Sequence, residues 1–536
     1  MATSAPGAPV LVVGAGAVGS ILALELAHHG VSSIVLDRAE TPPQTTDVDY
    51  LDGRSMELLR RLRLSAAIRA QGVGPDVPDE VGWSQALDEP PVLVSTVPSL
   101  NELRGRYADV RDGSAPVELP QRVSGVRLAA QLRTAVEQHP LIDLRLGWTF
   151  SGARLEFDRV VAVALAHGAA PGRRRTTIEA RYLAGCDGAQ STVRQCLQVP
   201  MEELSAPVQH CSVYFRSPEL SRRFDGRHPA TLIVGGLTLE YRDDGDLWVG
   251  HLRLASGDLT ADPIALLRAE LGGRLESAEV LDVRQWDDSL AVARRYRRGP
   301  AFLVGESAHR FYPAGDNAAT SIEDAVDLGW KLAAVVNGWG GPGLLDSYEA
   351  ERRPRALMDR ELVARQLETR RRFGRLAAAG ASREYLAGVL RQEVTPTDGA
   401  LSTALASRYA TSAVIWQDQD VVAPLGPGIR ALPTTWTGGR APAVRLDDGT
   451  PLFDRLGPQF TLVDLTENEA GKPLVLAAER RGIPMAHLVV GDRSVRTSWD
   501  RSLVLVRPDQ HIAWRADAAP TDWNAVLDRV SGHGIP

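Results

Sequence analysis

The segment VLVVGAGAVGSILALELAHH, Val10 to His29, decides the fold. Its first four residues form a continuous apolar run, which is typical of a buried parallel strand. Glycines follow in GxGxxG spacing from Gly14 to Gly19, and apolar residues then recur at helical spacing from Ile21 to His29. A second apolar run, Ser33 to Leu36, ends in Asp37. The pattern predicts a strand, a glycine turn, a helix and a second strand.

A unit of this kind binds a dinucleotide in many proteins. Its glycines allow a tight turn and the close approach of a pyrophosphate, the helix N-terminus faces that charge, and the acid accepts from ribose hydroxyls. The alternative is a glycine turn that only packs the helix on the sheet. The acid after the second strand favours a bound dinucleotide. The residues expected to contact it here are Gly14, Ala15, Gly16, Val18, Gly19, Asp37 and Arg38.

The composition argues against several classes of protein. The 536 residues carry a net charge of −7 without a long basic run, which argues against nucleic acid or an anionic membrane as the main partner. The three cysteines lack the spacing of a disulfide framework or a metal site, so no metal is expected. The chain contains neither a signal-peptide pattern nor an apolar stretch of about 20 residues. We therefore expect a cytoplasmic protein with a small-molecule substrate.

The rest of the chain predicts further layers. Alternating apolar residues from Leu144 to Tyr182 indicate a β-meander, and residues 205–300 are strand-rich apart from a helical pattern at Pro263 to Leu271. Helical spacing returns after residue 320 and continues in a second segment from Leu344 to about Leu376, which we expect Pro354 to interrupt. A Pro- and Gly-rich linker at 423–442 precedes a small α/β domain.

Three segments carry a family resemblance when they are taken in order. They are the glycine turn with Asp37, then GCDGAQSTVR from Gly185 to Arg194, and then GESAH…YPAG…DAVDLGWKLA from Gly305, followed by LDSYEAERRP. Together they resemble the class A FAD-dependent flavoprotein monooxygenases, the aromatic hydroxylase group. PLFDRLG and LVLVRPDQHIAWR resemble the thioredoxin-like C-terminal domain of the longer members. Because this domain lacks CxxC, we expect it to aid packing or homodimer formation.

The resemblance implies an α/β fold, α+β overall, in four parts. They are a Rossmann-like FAD-binding domain at 1–200 and 295–345, with 75–120 partly in the substrate layer; an inserted β-sheet substrate domain at 201–294; a helical segment at 346–422; and the thioredoxin-like domain at 443–536.

The resemblance also implies residues around FAD beyond the first fingerprint. Asp187 and Gly188 belong to the second fingerprint, and the backbone amides of Ala319 and Thr320 would point to N1 and the C2 oxygen of the flavin. The further residues expected at the cofactor are Arg54, Ser124, Glu306, Pro313, Gly315, Asp316 and Ala318.

A helix start is predicted close to this last group. Thr320 with Glu323, or Ser321 with Asp324, has the spacing of a capping box, so the helix should begin there. Its N-terminal dipole would then stabilise negative charge on a reduced flavin.

Four departures from the family pattern lie near the cofactor. Glu306 replaces an aspartate, Asp316 replaces a glycine, Gly125 replaces a glutamine after Ser124, and Thr46-Asp47 replaces an arginine. At about 6 Å and an effective dielectric constant of about 20, the Asp316 carboxylate would oppose the reduced flavin by roughly 2 to 3 kcal/mol. FAD binding is therefore easier to reconcile with the sequence than efficient flavin reduction.

Three hypotheses for function follow. The first is hydroxylation of an aromatic or polyketide small molecule with NAD(P)H and O2 through a flavin C4a-hydroperoxide, as the resemblance implies. The second is a redox-silent 4+2 cyclase, a decalin-forming Diels–Alderase of polyketide biosynthesis in which FAD is structural. The third is a flavin-binding protein without catalysis. Tyr241, His210 or His251 in the β layer could supply a base, but the sequence identifies no catalytic residue.

Overall fold

The computed structural model describes residues 4–46, 50–168, 175–224, 229–242, 246–254, 262–271, 275, 278–311, 317–394, 408–416 and 434–534. Within these residues, no helix is both long enough and apolar enough to cross a membrane.

The strands, in chain order, are β1 (Ser4–Val13), β2 (Ser33–Asp37), β3 (Tyr50–Leu51), β4 (Asp79–Ser84), β5 (Leu93–Val97), β6 (Gln121–Arg122), β7 (Ile142–Leu146), β8 (Trp148–Leu155), β9 (Val160–Ala166), β10 (Arg175–Gly185), β11 (Met201–Glu203), β12 (Gln209–Arg216), β13 (Thr231–Val234), β14 (Leu237–Tyr241), β15 (Leu247–Arg253), β16 (Glu279–Asp287), β17 (Ala291–Ala293), β18 (Arg297–Arg298), β19 (Ala301–Leu303), β20 (His309–Arg310), β21 (Phe460–Asp464), β22 (Met485–Val489), β23 (Leu503–Val506) and β24 (Ile512–Ala516).

The helices are α1 (Ala17–His28), α2 (Gly53–Arg61), α3 (Ser65–Gln71), α4 (Leu100–Tyr107), α5 (Gly125–Glu137), α6 (Thr192–Cys196), α7 (Pro218–Arg222), α8 (Pro263–Glu270), α9 (Asn317–Val336), α10 (Pro342–Ala378), α11 (Arg383–Glu393), α12 (Lys472–Arg480), α13 (Arg493–Ser498) and α14 (Trp523–Val530), with short 3-10 turns at Gly305–Ser307 and Leu452–Arg455.

The largest sheet contains the glycine-turn unit. Its strand order is β18-β19-β10-β1-β2-β7, and β19, β10, β1, β2 and β7 run parallel. The apolar run Val10–Val13 is buried because α1 and α9 pack beside it in one core. The predicted meander is present as β8, β9 and β10, whereas β7 instead continues the parallel sheet beside β2. This is the mixed α/β architecture that the sequence predicts.

A second sheet of seven strands has the order β16-β12-β15-β14-β13-β4-β5. One of its faces is apolar and packs against α8 through residues such as Val213, Phe215 and Leu267. The early strands β4 and β5 complete this sheet, and β4 pairs parallel with β13. The sheet therefore joins residues from two distant parts of the chain.

Helix α10 is continuous, so the predicted interruption at Pro354 is wrong. A proline inside a helix removes one backbone hydrogen bond and costs about 3 kcal/mol. Here Glu351 and Arg352, three and two residues before the proline, are buried and ion-paired to side chains outside α10. These contacts hold the helix before the proline, and Asp359 holds it after the proline by accepting from Thr320 of α9.

The C-terminal unit is a four-stranded sheet, β22-β21-β23-β24, in which only β21 and β22 run parallel among the described pairs. The turn between β23 and β24, Arg507 to His511, is buried against α9 and α10. A turn between strands is usually exposed, so this burial requires an explanation.

Charged side chains explain the burial of the turn. Arg507 donates to Glu351 at 2.9 Å, to Asp327 at 3.0 Å and to Asp509 at 2.6 Å, and Lys331 donates to Asp327 at 2.8 Å and to Glu351 at 2.7 Å. We call these five residues the central ion cluster. All are buried, so each charge depends on its partners for the solvation that water would otherwise give.

The cluster contains three acids and two bases, so one acid lacks a full counter-charge. Burial raises the pKa of Asp327 well above its usual value. Burial also opposes ionisation of Glu351, but Arg507 and Lys331 outweigh it and hold the pKa of Glu351 at about 2. Burial therefore opposes ionisation more effectively at Asp327 than at Glu351.

Replacing Arg507 should destabilise the protein strongly. Arg507→Gln leaves buried carboxylates without their main counter-charge, and we expect a loss of about 3 to 5 kcal/mol in the free energy of unfolding, measured by urea denaturation. The control is Arg375→Gln, because Arg375 forms an exposed pair with Glu368, and its effect should stay within about 0.5 kcal/mol. Equal effects of the two substitutions would contradict a stabilising role for the cluster.

Acid should also destabilise the fold. Burial opposes ionisation of Glu25, Glu240 and Glu351, but neighbouring cations hold each folded-state pKa at about 2, against 4.5 for the free side chain. Their stabilisation is complete above about pH 4.5 and is lost as the pH falls toward 2, on the order of 3 kcal/mol per group. Urea midpoints should stay nearly constant from pH 6 to about pH 4.5 and then fall as the pH is lowered to 3. A midpoint that is constant over this range would exclude the effect.

Candidate active site

Three segments that are far apart in sequence meet at one edge of the main sheet. The Cys186 amide donates to the Val13 carbonyl at 2.8 Å, which joins the second fingerprint to the glycine turn. Ser307 Oγ donates to the Gly185 carbonyl at 2.6 Å, which joins the third segment to the second. Gly305 closes the group, because a Cβ at this position would lie 3.1 Å from Val18. All three segments follow β1, β10 and β19, which are neighbouring parallel strands.

The glycine turn fits a close-approaching ligand. Gly14 has φ of +102°, and a Cβ there would lie 2.4 Å from the Cys186 carbonyl oxygen. A Cβ on Gly19 would lie 1.9 Å from the Gly14 carbonyl oxygen. A Cβ on Gly16, by contrast, would meet no protein atom within 4 Å. Two glycines therefore allow the turn itself, and the third leaves open space in front of it.

The end of α1 at this turn is free to bind an anion. Gly16 caps α1 without a side-chain hydrogen bond, so the first-turn amides face the open space. Asp37 Oδ2 accepts from the Ala15 amide at 2.7 Å, and its Oδ1 accepts from the Ala39 amide at 2.8 Å. Each oxygen keeps a lone pair for a ribose hydroxyl. Arg38 is exposed beside them. These features fit the adenosine and pyrophosphate parts of FAD.

The second fingerprint is arranged by its own side chains. Asp187 accepts from Ser191 Oγ at 2.5 Å and from the Val193 amide at 3.0 Å, so the carboxylate helps to cap α6. Gly188 has φ of +77°, a conformation that favours glycine. The structure thus brings both residues to the site and shows that Asp187 also shapes the backbone there.

Arg194 is a residue whose role the sequence analysis missed. Its side chain is buried and donates to the carbonyls of Ser307 at 2.9 Å and Ala189 at 2.8 Å. Burial, with the nearby Arg310, lowers the pKa of Arg194. Arg194 therefore joins the second and third segments. Its position at the end of GCDGAQSTVR was the only signal in the sequence.

Glu306 is exposed between buried neighbours, Gly305 and Ser307. Its Oε2 lies 3.9 Å from the position that a Cβ on Gly188 would take. The longer carboxylate, which replaces the family's aspartate, thus lies beside the second fingerprint. Its contact with FAD stays a prediction.

The predicted helix start at Thr320 or Ser321 is wrong, because α9 already includes Asn317. Thr320 Oγ1 donates to Asp359 at 2.7 Å, and Glu323 and Asp324 accept from Arg352, both at 2.7 Å. These side chains bind α10 and are not available for capping. The first-turn amides of α9 therefore belong to residues 317–320, which include Ala318, Ala319 and Thr320. Pro313, Gly315 and Asp316 lie outside the described residues.

Asp324 fixes the third segment to α9. Its Oδ2 accepts from the Gly305 amide at 3.2 Å and lies 3.1 Å from His309 Nε2. Burial opposes its ionisation, but Arg352 and His309 outweigh it and lower the pKa of Asp324. His309 is fully buried and stacks on Phe311, which agrees with the packing role expected from the sequence.

Two of the residues expected to contact FAD, Arg54 and Ser124, have side chains whose observed contacts do not involve the three cofactor segments. The Arg54 guanidinium is buried against Gln510 Oε1 at 2.6 Å and the Asp509 carbonyl at 2.5 Å, so the C-terminal turn uses its donors. The contact of Arg54 with FAD stays a prediction. Ser124 caps α5 by position, without a side-chain cap hydrogen bond. No group of three possible metal ligands occurs among the described residues.

Gly16 offers a test that separates folding from cofactor binding. Gly16→Val should fold, because the backbone there is extended and the added Cβ meets no protein atom. The side chain would fill the open space, and we expect the Kd for FAD to rise at least about tenfold, measured by flavin fluorescence and thermal melting. Gly105→Ala in α4 is the control, since a Cβ there also meets nothing. Full flavin content in Gly16→Val would show that FAD does not approach this turn.

Comparison with known proteins agrees with this geometry. A family model described as FAD binding domain matches residues 7–235 and 258–360, and one described as aromatic-ring hydroxylase, C-terminal, matches residues 434–534. The FAD-dependent monooxygenase apdD of Emericella nidulans is 32% identical and aligns with 98% of this chain and 90% of its own. Tetracenomycin B2 monooxygenase-dioxygenase of Streptomyces olivaceus is 29% identical, with 97% of each chain aligned.

A solved structure extends the likeness to the whole fold. The rebeccamycin biosynthetic enzyme RebC with reduced flavin matches with a TM-score of 0.84 and 27% identity, over 99% of this chain and 100% of RebC. The chain therefore belongs to the class A FAD-dependent flavoprotein monooxygenase family and carries the C-terminal domain of the aromatic-ring hydroxylases.

Proposed function

We propose that the protein hydroxylates an aromatic or polyketide small molecule, with FAD as bound cofactor and NAD(P)H and O2 as co-substrates. The observation that carries the proposal is the convergence of the glycine turn, the segment with Asp187 and Gly188, and the Gly305–Ser307 segment, whose Gly305 amide donates to Asp324 of α9. The names of the relatives support the type of reaction and the class of substrate.

We expect different residues to contact different parts of FAD. We expect the first-turn amides of α1 to hold the pyrophosphate next to Gly16, and Asp37 to accept from the adenosine ribose. We expect Glu306, which lies beside Gly188, to accept from a ribityl hydroxyl. The amides of Ala318, Ala319 and Thr320 complete the set at the start of α9. The same proposal includes Pro313, Gly315 and Asp316, which precede α9.

The start of α9 would stabilise negative charge in its neighbourhood. A helix N-terminus carries roughly half a positive charge, and this one is fixed in place by Arg352 through Glu323, Asp324 and the Thr320 carbonyl. When bound, the flavin supplies the reducing electrons with which O2 is activated for transfer of one oxygen atom to the substrate. A rigid α9 would favour the anionic state of the reduced cofactor.

The cover over the site comes from the second sheet and α10. Arg310, next to the third segment, donates to Ser289 Oγ at 2.7 Å, and Arg371 of α10 is ion-paired with Asp288. Thr45 Oγ1 donates to Asp282 at 2.6 Å at another point of β16. These contacts support the proposal that the sheet covers the cofactor segments, where it would exclude water from a bound substrate.

The cellular setting is a further part of the proposal. We place the enzyme in the cytoplasm, where its free thiols at Cys186, Cys196 and Cys211 would stay reduced. The homodimer expected from the C-terminal domain stays a prediction, since the structure describes a single chain.

Anaerobic mixing with nicotinamide tests the proposed reaction. Purified yellow protein should bleach with NADPH or NADH, faster when a hydroxylated aromatic polyketide is present. Admission of O2 should then give a product one oxygen atom heavier, detected by mass spectrometry. The Gly16→Val variant without FAD is the control and should give no product.

Two outcomes would overturn the proposal. A protein that stays yellow while it forms a product of unchanged mass would be a non-redox cyclase. A protein that stays yellow and forms no product with any polyketide tested would be a flavin-binding protein without catalysis.

A further inference from the structure

Arg355 of α10 lies beside the first turn of α9. Its Nε donates to Asp359 Oδ2 at 3.0 Å, and the same oxygen accepts from Thr320 Oγ1 at 2.7 Å. Because both bonds end on one atom, the guanidinium lies close to Thr320. Thr320 and Asp359 are both buried, so the link between the two helices is shielded from water.

Helix α10 holds the first turn of α9 through two arginines. Arg352 Nη2 donates to the Thr320 carbonyl at 3.1 Å, whereas Arg355 reaches the Thr320 hydroxyl through Asp359. Arg352 also donates to Glu323 and to another acid of α9, both at 2.7 Å, so it has two carboxylate partners. Among the described residues, Arg355 has a hydrogen bond to one carboxylate only.

The positive charge of Arg355 is therefore only partly neutralised. Its Nη1 is buried and has no hydrogen-bond partner among the residues that the structure describes. Burial opposes the charge, but Asp359 and Glu323 outweigh it and raise the pKa of Arg355, so the guanidinium stays protonated. Little water screens a buried cation, and its field acts over several ångströms.

Acidic side chains surround this cation on three elements. Glu323 lies on α9, Asp359 lies on α10, and Asp52 caps α2. Burial opposes ionisation of Glu323, but Arg352 and Arg355 outweigh it and lower its pKa. Burial raises the pKa of Asp52, and Glu323 adds to this rise. Any further negative charge that develops at the start of α9 would therefore meet acids, and Arg355 would offset their effect.

The proposed reaction develops such a charge. The backbone amides of Ala319 and Thr320 are expected to face N1 and the C2 oxygen of the flavin. A hydride from NAD(P)H carries two electrons and one proton, so the flavin ring gains one negative charge while NAD(P)+ leaves. The charges of Glu323 and Asp359 would oppose this gain, and the charge of Arg355 would favour it.

We propose that Arg355 is a positioning residue with an electrostatic role: it holds Asp359 against Thr320, and its charge favours reduction of a flavin bound at the start of α9. The inference rests on the proposed function for the place of the flavin. It gives a role to a residue that lies outside all three cofactor segments, and it makes Asp359 the residue with the opposite effect.

Reduction of the FAD-loaded protein tests the inference. The flavin is reduced anaerobically with dithionite beside a reference dye, and the absorbance spectra give the equilibrium constant for two-electron reduction. Arg355→Met removes the positive charge and should lower this constant about tenfold, which is about 30 mV. Asp359→Asn removes the negative charge, keeps an acceptor for Thr320, and should raise the constant about tenfold.

The opposite signs separate a charge effect from a loss of structure. If Arg355 and Asp359 only braced α9, both substitutions would loosen Thr320 and shift the constant in the same direction. Thr320→Val removes the hydroxyl without a change of charge and should shift the constant by no more than about threefold. Arg355→Lys keeps the charge and should stay within about threefold of the wild type.

Arg375→Met is the matched control, because it removes the same charge from an exposed position about 30 Å farther along α10. It should leave the constant unchanged. Melting temperature and flavin content show whether each variant is folded and loaded. The inference is overturned if folded Arg355→Met keeps the wild-type constant, or if Arg355→Met and Asp359→Asn shift it in the same direction. If Arg355→Met does not fold, an unchanged or lowered constant in Asp359→Asn overturns it.

The two proposals fail separately, because dithionite reduces the flavin without NAD(P)H or substrate. A wild type that neither oxidises NAD(P)H nor hydroxylates any polyketide, but whose variants show the opposite shifts, would overturn the proposed hydroxylation and leave this inference standing. A wild type that hydroxylates, but whose constant is the same in Arg355→Met and Asp359→Asn, would do the reverse.

Discussion

The ion pair between Arg507 and Glu351 is the interaction on which the rest of the structure depends. It joins a C-terminal turn to α10, and through Lys331 and Asp327 it reaches α9. Buried charges are costly unless all partners are present, so the three elements can only be stable together. Farther along the same helices, Arg352 binds Glu323 and Asp324, and Asp324 in turn holds the Gly305 amide. The position of the third cofactor segment is thus set by charges that never touch the cofactor.

This arrangement gives the C-terminal domain a role without redox chemistry. The domain lacks CxxC, and its turn supplies Arg507 to the central ion cluster and Gln510 to Arg54. The turn therefore contacts α2, α9 and α10 at once. A domain without redox chemistry serves this purpose, because what the core needs from it is the charge of Arg507 at a fixed place.

The sequence predicted the parts of the molecule that depend on local pattern. The β1–α1–β2 unit, the helix at Pro263 and the order of the three fingerprints follow from periodicity and spacing within short segments. The start of α9 could not be predicted from local pattern, because the residues that have capping-box spacing bind Arg352 and Asp359 instead. The contact of Arg54 with the C-terminal turn did not follow either, since its partner Gln510 is 456 positions away. Long-range charge pairing overrides local rules, and no single-sequence pattern reports it.

The late position of Arg507 in the chain has a consequence for biosynthesis. During translation α9 and α10 emerge from the ribosome well before the turn at residues 507–511, so the acids of the central ion cluster wait without their arginine. Domains generally fold in order from the N-terminus as they are made, but here that order cannot be completed early. The nascent chain must delay final packing of its flavin-binding half until residues 507–511 have been made, which makes this interval the time when a chaperone would be needed most.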